Sequence, residues 1–173
     1  MKGIVDPDGS RIIAAQVYTG SEYRFYMGST RTSTGTDYAE TRKGVDSVLP
    51  GYCVKENGKG SLEKTTERLE KVCWIVSDSY GLLIESKENI PEEEKLSIAV
   101  AGRVLAYPYE SLEEFKKHIG DGVCSGPDGT VSIMTEEEMK AYPLRVLGII
   151  ASVPEEESFG NIKIDGRVWI KVI

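Results

Sequence analysis

The chain is poor in histidine, cysteine and aromatic residues, and each scarcity closes a route to function. There is one histidine, His118, so a multi-histidine metal site is excluded. Any Ser-His-Asp or Cys-His device would have to run through that residue. Three cysteines, Cys53, Cys73 and Cys124, are odd in number and far apart in sequence, with no CxxC pair. They imply neither a metal-binding ribbon nor a disulfide framework, and they favour maturation in a reducing compartment. GxGxxG and GxxxxGK[ST] are both missing, and with them the usual phosphate-cradling loops. No cofactor and no metal are expected. Apolar runs fall short of the ~20 residues that span a bilayer, and the opening Met-Lys-Gly-Ile-Val-Asp-Pro-Asp-Gly-Ser is too polar for a secretory signal. Basic residues are outnumbered, 21 against 28, for a net charge of -7, which speaks against a nucleic-acid-binding face.

What is present is a chain of 173 residues, 40% hydrophobic and 28% charged, enough for one domain or two small lobes. Its 18 glycines separate short segments rich in β-branched residues. Strands are expected at 12–18, 23–27, 51–55, 72–76, 81–85, 97–106 and 144–153. Gly102 inside the 97–106 run marks a bulge or bend. Residues 61–71 fit either a helix or a polar hairpin arm. Capping boxes at Ser111–Glu114 and Thr135–Glu138 start two short helices, the first facing inward through Leu112, Phe115 and Ile119, the second through Met139 and Tyr142. Asp165-Gly166 between alternating segments predicts a terminal hairpin. The fold class is therefore mainly β with two short helices (α+β), a compact domain with a partly barrel-like sheet. The polar stretch 28–36 lacks an apolar anchor and reads as an exposed connector. It divides an N-terminal β arm or fibre end, 1–34, from a globular domain, 35–173.

Single residues mostly take plain roles. His118, after Lys116 and Lys117, suits a helix C-terminus. The cysteines fit as small buried apolar groups, and Trp74 and Trp169 as core or interface residues. Acidic triplets at 92–94, 136–138 and 155–157 read as solvated faces and helix starts. Asp121 and Asp128 are turn formers.

Two blocks carry a resemblance. The first comprises Met134-Thr135-Glu136-Glu137-Glu138, Tyr142-Pro143, Gly148-Ile149-Ile150-Ala151-Ser152-Val153-Pro154 and Gly166-Arg167-Val168-Trp169-Ile170-Lys171-Val172. Together with Ile75-Val76-Ser77-Asp78, the strand from Ala99 to Tyr107 and Val123-Cys124-Ser125-Gly126-Pro127-Asp128-Gly129, it resembles the C-terminal region of phage and prophage virion structural proteins. The second, Gly35-Thr36-Asp37-Tyr38-Ala39-Glu40, is similar to the Gly-Ala-Asp-Tyr-Ala-Glu motif of autocleaving, glutamic-peptidase-like intramolecular chaperone domains of phage appendages and tail spikes.

The resemblance implies a virion component, assembled in the bacterial host cytoplasm, that acts in fibre or appendage assembly as a homo-oligomer, a trimer. Its partners would be further copies of itself, other virion proteins and a host surface glycan, with no nucleic acid and no membrane. It also implies two alternatives: self-cleavage near residues 30–37 with Asp37 and Glu40 as catalytic acids, and a receptor- or glycan-binding tip. For the catalytic pair, a helical turn would bring the i, i+3 carboxylates within about 6 Å on one side. One could then take a proton from water while the other protonates the leaving nitrogen. The same spacing equally suits a simple capping box. Arg42 and Lys43 follow where the family carries acidic and aromatic residues, and beside the acids they would lower both pKa values.

Overall fold

The structure, a computed structural model, describes residues 2–5, 12–18, 23–27, 36–45, 48–84 and 89–173. The turn expected at 19–22 and the connector at 28–35 lie outside the described residues. The chain forms two compact units, Met1–Thr32 and Ser33–Ile173. In the first, β1 (Lys2–Val5), β2 (Ile12–Tyr18) and β3 (Tyr23–Met27) form an antiparallel meander in chain order. The bounds of β2 and β3 are those read from the sequence.

The second unit contains β4 (Asp37–Lys43), β5 (Cys53–Glu56), β6 (Leu62–Lys64), β7 (Cys73–Ile75), β8 (Tyr80–Ile84) and β9 (Lys95–Ala106). Then come α1 (Leu112–Lys117), β10 (Gly122–Ser125), β11 (Val131–Ile133) and α2 (Glu136–Ala141). The chain closes with β12 (Gly148–Ser152), β13 (Ser158–Phe159), β14 (Ile162–Lys163) and β15 (Val168–Val172). Seven strands make one sheet in the order β11-β10-β12-β15-β9-β4-β8, antiparallel except for the parallel pair β4–β8. A second sheet has the order β6-β5-β7, and β13–β14 is a small hairpin. The fold is thus mainly β with two short α-helices. The large sheet is open, ending in β11 on one side and β8 on the other, rather than barrel-like.

β9 organises the unit. Its first part pairs with β4, from Lys95 to Gly102, and its last part with β15, from Gly102 to Ala106. Gly102 is the point of exchange, and it sits at φ +103°. A Cβ there would lie 2.5 Å from the Thr36 carbonyl oxygen and 2.7 Å from the Asp37 Cα, so the position demands glycine. The register slips next to it, between Tyr38 and Ala39, as in a bulge.

Alternation along β9 feeds two clusters. Val104 and Ala106 join Ile75, Phe115, Val123, Ile150 and Ile170 in the main core, while Leu105 meets Ile164 and Trp169 on the other side. A further cluster unites Val54, Leu62, Val76 and Ile98. Each buried valine, leucine, isoleucine or phenylalanine among them contributes roughly 1.5–3 kcal/mol on burial.

Several expectations are corrected here. Of the two forms open for residues 61–71, the hairpin arm is the one that forms: β6 pairs with β5, and the chain then turns through Leu69 and Val72, both at positive φ. α1 buries Phe115 alone. Leu112 is 37% and Ile119 55% exposed, because the helix stops at Lys117 and leaves Ile119 beyond its cap. The capping box of α2 forms in full, but Tyr142 is exposed, since the backbone departs from helical geometry at that residue. β12 begins at Gly148 because Pro143–Arg145 forms a 3-10 turn that leaves Leu144 92% exposed. The Asp165-Gly166 turn does form, with Arg167 N–H donating to the Ile164 carbonyl at 3.0 Å. Its flanks do not pair with each other. β15 is apolar enough to lie between β9 and β12, and β14 turns back to β13.

Candidate functional site

Asp37 opens β4 and is only 6% exposed. Its Oδ1 accepts from Ser77 Oγ at 3.0 Å and from Ser79 Oγ at 2.9 Å. Its Oδ2 is buried without a partner. Burial holds this carboxyl above the ordinary aspartate range, against the two serine bonds, with the nearby Asp78 charge adding to the rise. The preceding residue is pinned on both sides. Thr36 N–H donates to the Ser79 carbonyl at 2.8 Å, and its carbonyl accepts from Arg103 N–H at 2.9 Å. Its hydroxyl donates to the Arg103 carbonyl at 2.6 Å.

Glu40 does not join Asp37. The motif lies on a strand, not a helical turn, and strand side chains alternate with period two. Asp37, Ala39 and Thr41 are buried on one face; Tyr38, Glu40 and Arg42 are half-buried on the other. The i, i+3 spacing that unites two carboxylates on a helix separates them here. The basic residues also act elsewhere: Arg42 pairs with Glu56 at 2.6 Å and covers Trp74, and Lys43 pairs with Glu94 at 3.0 Å. The lowering expected from them gives way to a rise at Asp37.

Between the two serines, Asp78 reaches a different partner. Both its oxygens accept from Arg167 Nη1 at 3.0 Å. Arg167 is 4% exposed, and its Nε donates to the Ile164 carbonyl at 3.1 Å, while Nη2 donates to the Lys163 carbonyl. Its guanidinium lies over Tyr107, which is tilted against Tyr52. Clefts of about 550 Å³ and 410 Å³ share Lys163, Asp165 and Arg167 in their walls. Pro154 and Glu157 line the larger, Tyr107 and Asn161 the smaller. The three-residue segment 77–79 therefore ties the start of β4 to the turn before β15. Sequence reasoning missed this link. Its one available signal was an arginine beginning an otherwise apolar strand after Asp-Gly.

Other charged groups serve the frame. Arg68 donates to both oxygens of Glu138, whose carboxyl is lowered to about 2 by that guanidinium and by the Thr135 N–H. The 136–138 triplet is thus a cap and an anchor. His118 caps α1 between Asp121 at 2.8 Å and Glu114 at 3.2 Å, and these carboxylates raise its pKa. Cys53 and Cys124 are buried, while Cys73 is partly exposed. Among the described residues, no group of three His, Cys, Asp or Glu side chains is arranged to hold a metal ion, and no helix is long and apolar enough to cross a membrane. Comparison of the chain with protein families, curated proteins and solved structures gave no match.

Proposed function

We propose that this chain is a structural domain of a bacteriophage or prophage virion, acting in fibre or appendage assembly as a homotrimer. The observation that carries the assembly reading is the open edge of the large sheet. β8 is uncharged and proline-free, and Tyr80, Leu82 and Ile84 are 40%, 37% and 44% exposed. The opposite edge is covered, since Val131 of β11 exchanges backbone bonds with Tyr107 and Tyr109. Protein edges are normally blunted by charge, proline or a covering element, and among the described residues the edge at β8 has none of these, which supports its use as an interaction surface. The first unit adds support. This unit spans 32 residues with no cysteine, below the size at which a chain usually sustains its own core. Neighbouring copies would supply what it lacks, and the virion context and three-fold stoichiometry follow from the family resemblance.

The test is the native mass of the full chain by light scattering at micromolar concentration. A trimer that Leu82→Lys weakens at least tenfold supports the reading. A strict monomer overturns it.

A second reading, self-cleavage, is favoured by one observation: a buried, partly unsatisfied Asp37 directly after a clamped Thr36. In this reading Asp37 works with Ser77 and Ser79 beside it, not with Glu40. The denatured intact mass decides. A chain shortened by roughly 30 to 36 residues, restored to full length by Asp37→Ala, supports cleavage. A full-length wild-type chain after prolonged incubation removes it.

A further inference from the structure

β5 and β7 run antiparallel with Cys53 opposite Ile75 and Lys55 opposite Cys73. Opposed residues of such a pair share a face, so both cysteines project to one side as diagonal neighbours. The Cys73 thiol itself donates to the Lys71 carbonyl at 3.7 Å. Both thiols are free. Their surroundings differ sharply. Cys53 is fully buried. Cys73 lines a crevice of about 170 Å³ with Trp74, Val100, Leu147 and Ile173.

The neighbouring Cys53 side chain holds the Cys73 thiol below its usual range, and burial pushes the Cys53 thiol up. The third cysteine stands apart: the Cys124 thiol donates to the Ser132 carbonyl at 3.7 Å and is raised by burial. Just before Cys73, Val72 holds φ +52° while 62% exposed, an unusual backbone for a β-branched residue.

We propose that Cys53 and Cys73 form a redox-active dithiol that low-molecular-weight disulfides reach through this crevice. The proposal is independent of the assembly reading. The Cys73 thiolate attacks one sulfur of the small disulfide, forming a mixed disulfide and expelling the first thiolate. Cys53 then gives up its proton and attacks Cys73 Sγ, expelling the second. The protein loses two electrons and two protons, and the small disulfide becomes two thiols. Diagonal Cα atoms in an antiparallel pair lie about 7–8 Å apart, slightly beyond the usual disulfide span. Closure therefore draws the start of β7 inward, with the backbone at Val72 as the yielding point.

The test incubates the full reduced chain with glutathione disulfide, alkylates it under denaturing conditions and reads the intact mass. The expected product is lighter by two hydrogen atoms before alkylation and retains one alkylatable thiol of the three, Cys124. Peptide mapping then shows Cys53 linked to Cys73. Cys124→Ser closes as the wild type does. Cys53→Ser stops at one glutathione adduct on Cys73, and Cys73→Ser forms no internal link. Three alkylatable thiols after incubation, a persistent glutathione adduct in the wild type, or a link through Cys124 would overturn the proposal.

Discussion

Cutting the Asp78–Arg167 pair should cost more from one side than from the other. Arg167 is 4% exposed and depends on Asp78 for the neutralisation of its charge. Asp78→Ala strands a buried guanidinium, and breaking a buried pair this way costs about 3–5 kcal/mol. Arg167→Met strands Asp78 instead, whose side chain is 28% exposed and can be hydrated. That change also frees the carbonyls of Ile164 and Lys163, each worth about 1–1.5 kcal/mol, while methionine keeps some packing under Tyr107. Its expected cost is therefore about 2–3 kcal/mol. The double variant should cost no more than Arg167→Met alone, giving a coupling of at least about 3 kcal/mol in a mutant cycle. Arg167→Lys should not rescue, because an ammonium cannot span both Asp78 oxygens and the two carbonyls. Urea unfolding followed by tryptophan fluorescence is the assay, since Trp169 packs with Ile164 and reports on this region. With total stability of about 5–15 kcal/mol, both variants should still fold. A loss under about 1 kcal/mol for Asp78→Ala, or strict additivity in the cycle, would refute the view that this pair locks segment 77–79 to the turn before β15.

Four further changes test other parts of the frame. The Asp37 carboxyl is raised in the fold, so its stabilising protonation is complete below the unfolded pKa of ~3.9 and is lost as pH rises through the folded value. Asp37→Asn should therefore unfold at higher urea than wild type at neutral pH, with the difference vanishing toward acid; a variant weaker at neutral pH contradicts this. Glu138 moves the opposite way: its stabilising charge is complete above about 4.5 and lost as pH falls toward about 2. Glu138→Gln should flatten the acid limb of the pH–stability curve in that window, and Thr135→Ala should cost about 1 kcal/mol through the lost cap. Gly102→Ala must place a methyl against the Thr36 carbonyl at positive φ, so a loss of about 2 kcal/mol or more is expected in thermal or urea unfolding.

Local chemistry made much of the fold legible. β2 and β3 follow from alternation between turn residues, α2 from its capping box, and the Gly102 bulge from a glycine inside an apolar run. The failures share a physical cause. Periodicity says which residues form an element, but not which neighbour the element chooses. Asp165-Gly166 built its turn as written, yet β15 found more apolar surface between β9 and β12 than β14 could offer it. At residues 61–71 composition left helix and hairpin arm both open, and the pairing of the short β6 with β5, with positive φ at Leu69 and Val72, decides for the hairpin.

The site was harder to read because its meaning rests on secondary structure. Asp-Tyr-Ala-Glu spaces two acids correctly for cooperation on a helix and wrongly on a strand. β4 is a strand because its neighbours make it one: β9 and β8 pair with it on either side, and its alternate residues Asp37, Ala39 and Thr41 pack inward. The groups that surround Asp37 come from segment 77–79, about 40 residues away, and nothing local announces them. That segment also explains why a carboxyl is tolerated there. Ser77 and Ser79 satisfy one oxygen, and Asp78 between them turns to Arg167, so one short stretch anchors both the start of β4 and the turn before β15. An acid at position 37 with one oxygen still unpaired is costly for folding alone. An asparagine or serine would cap the same strand more cheaply, so an aspartate at that position is better explained by its protonation than by its packing. This makes the neutral-pH stability of Asp37→Asn informative about function. If the amide is more stable and the protein still assembles, the carboxyl serves something other than the fold.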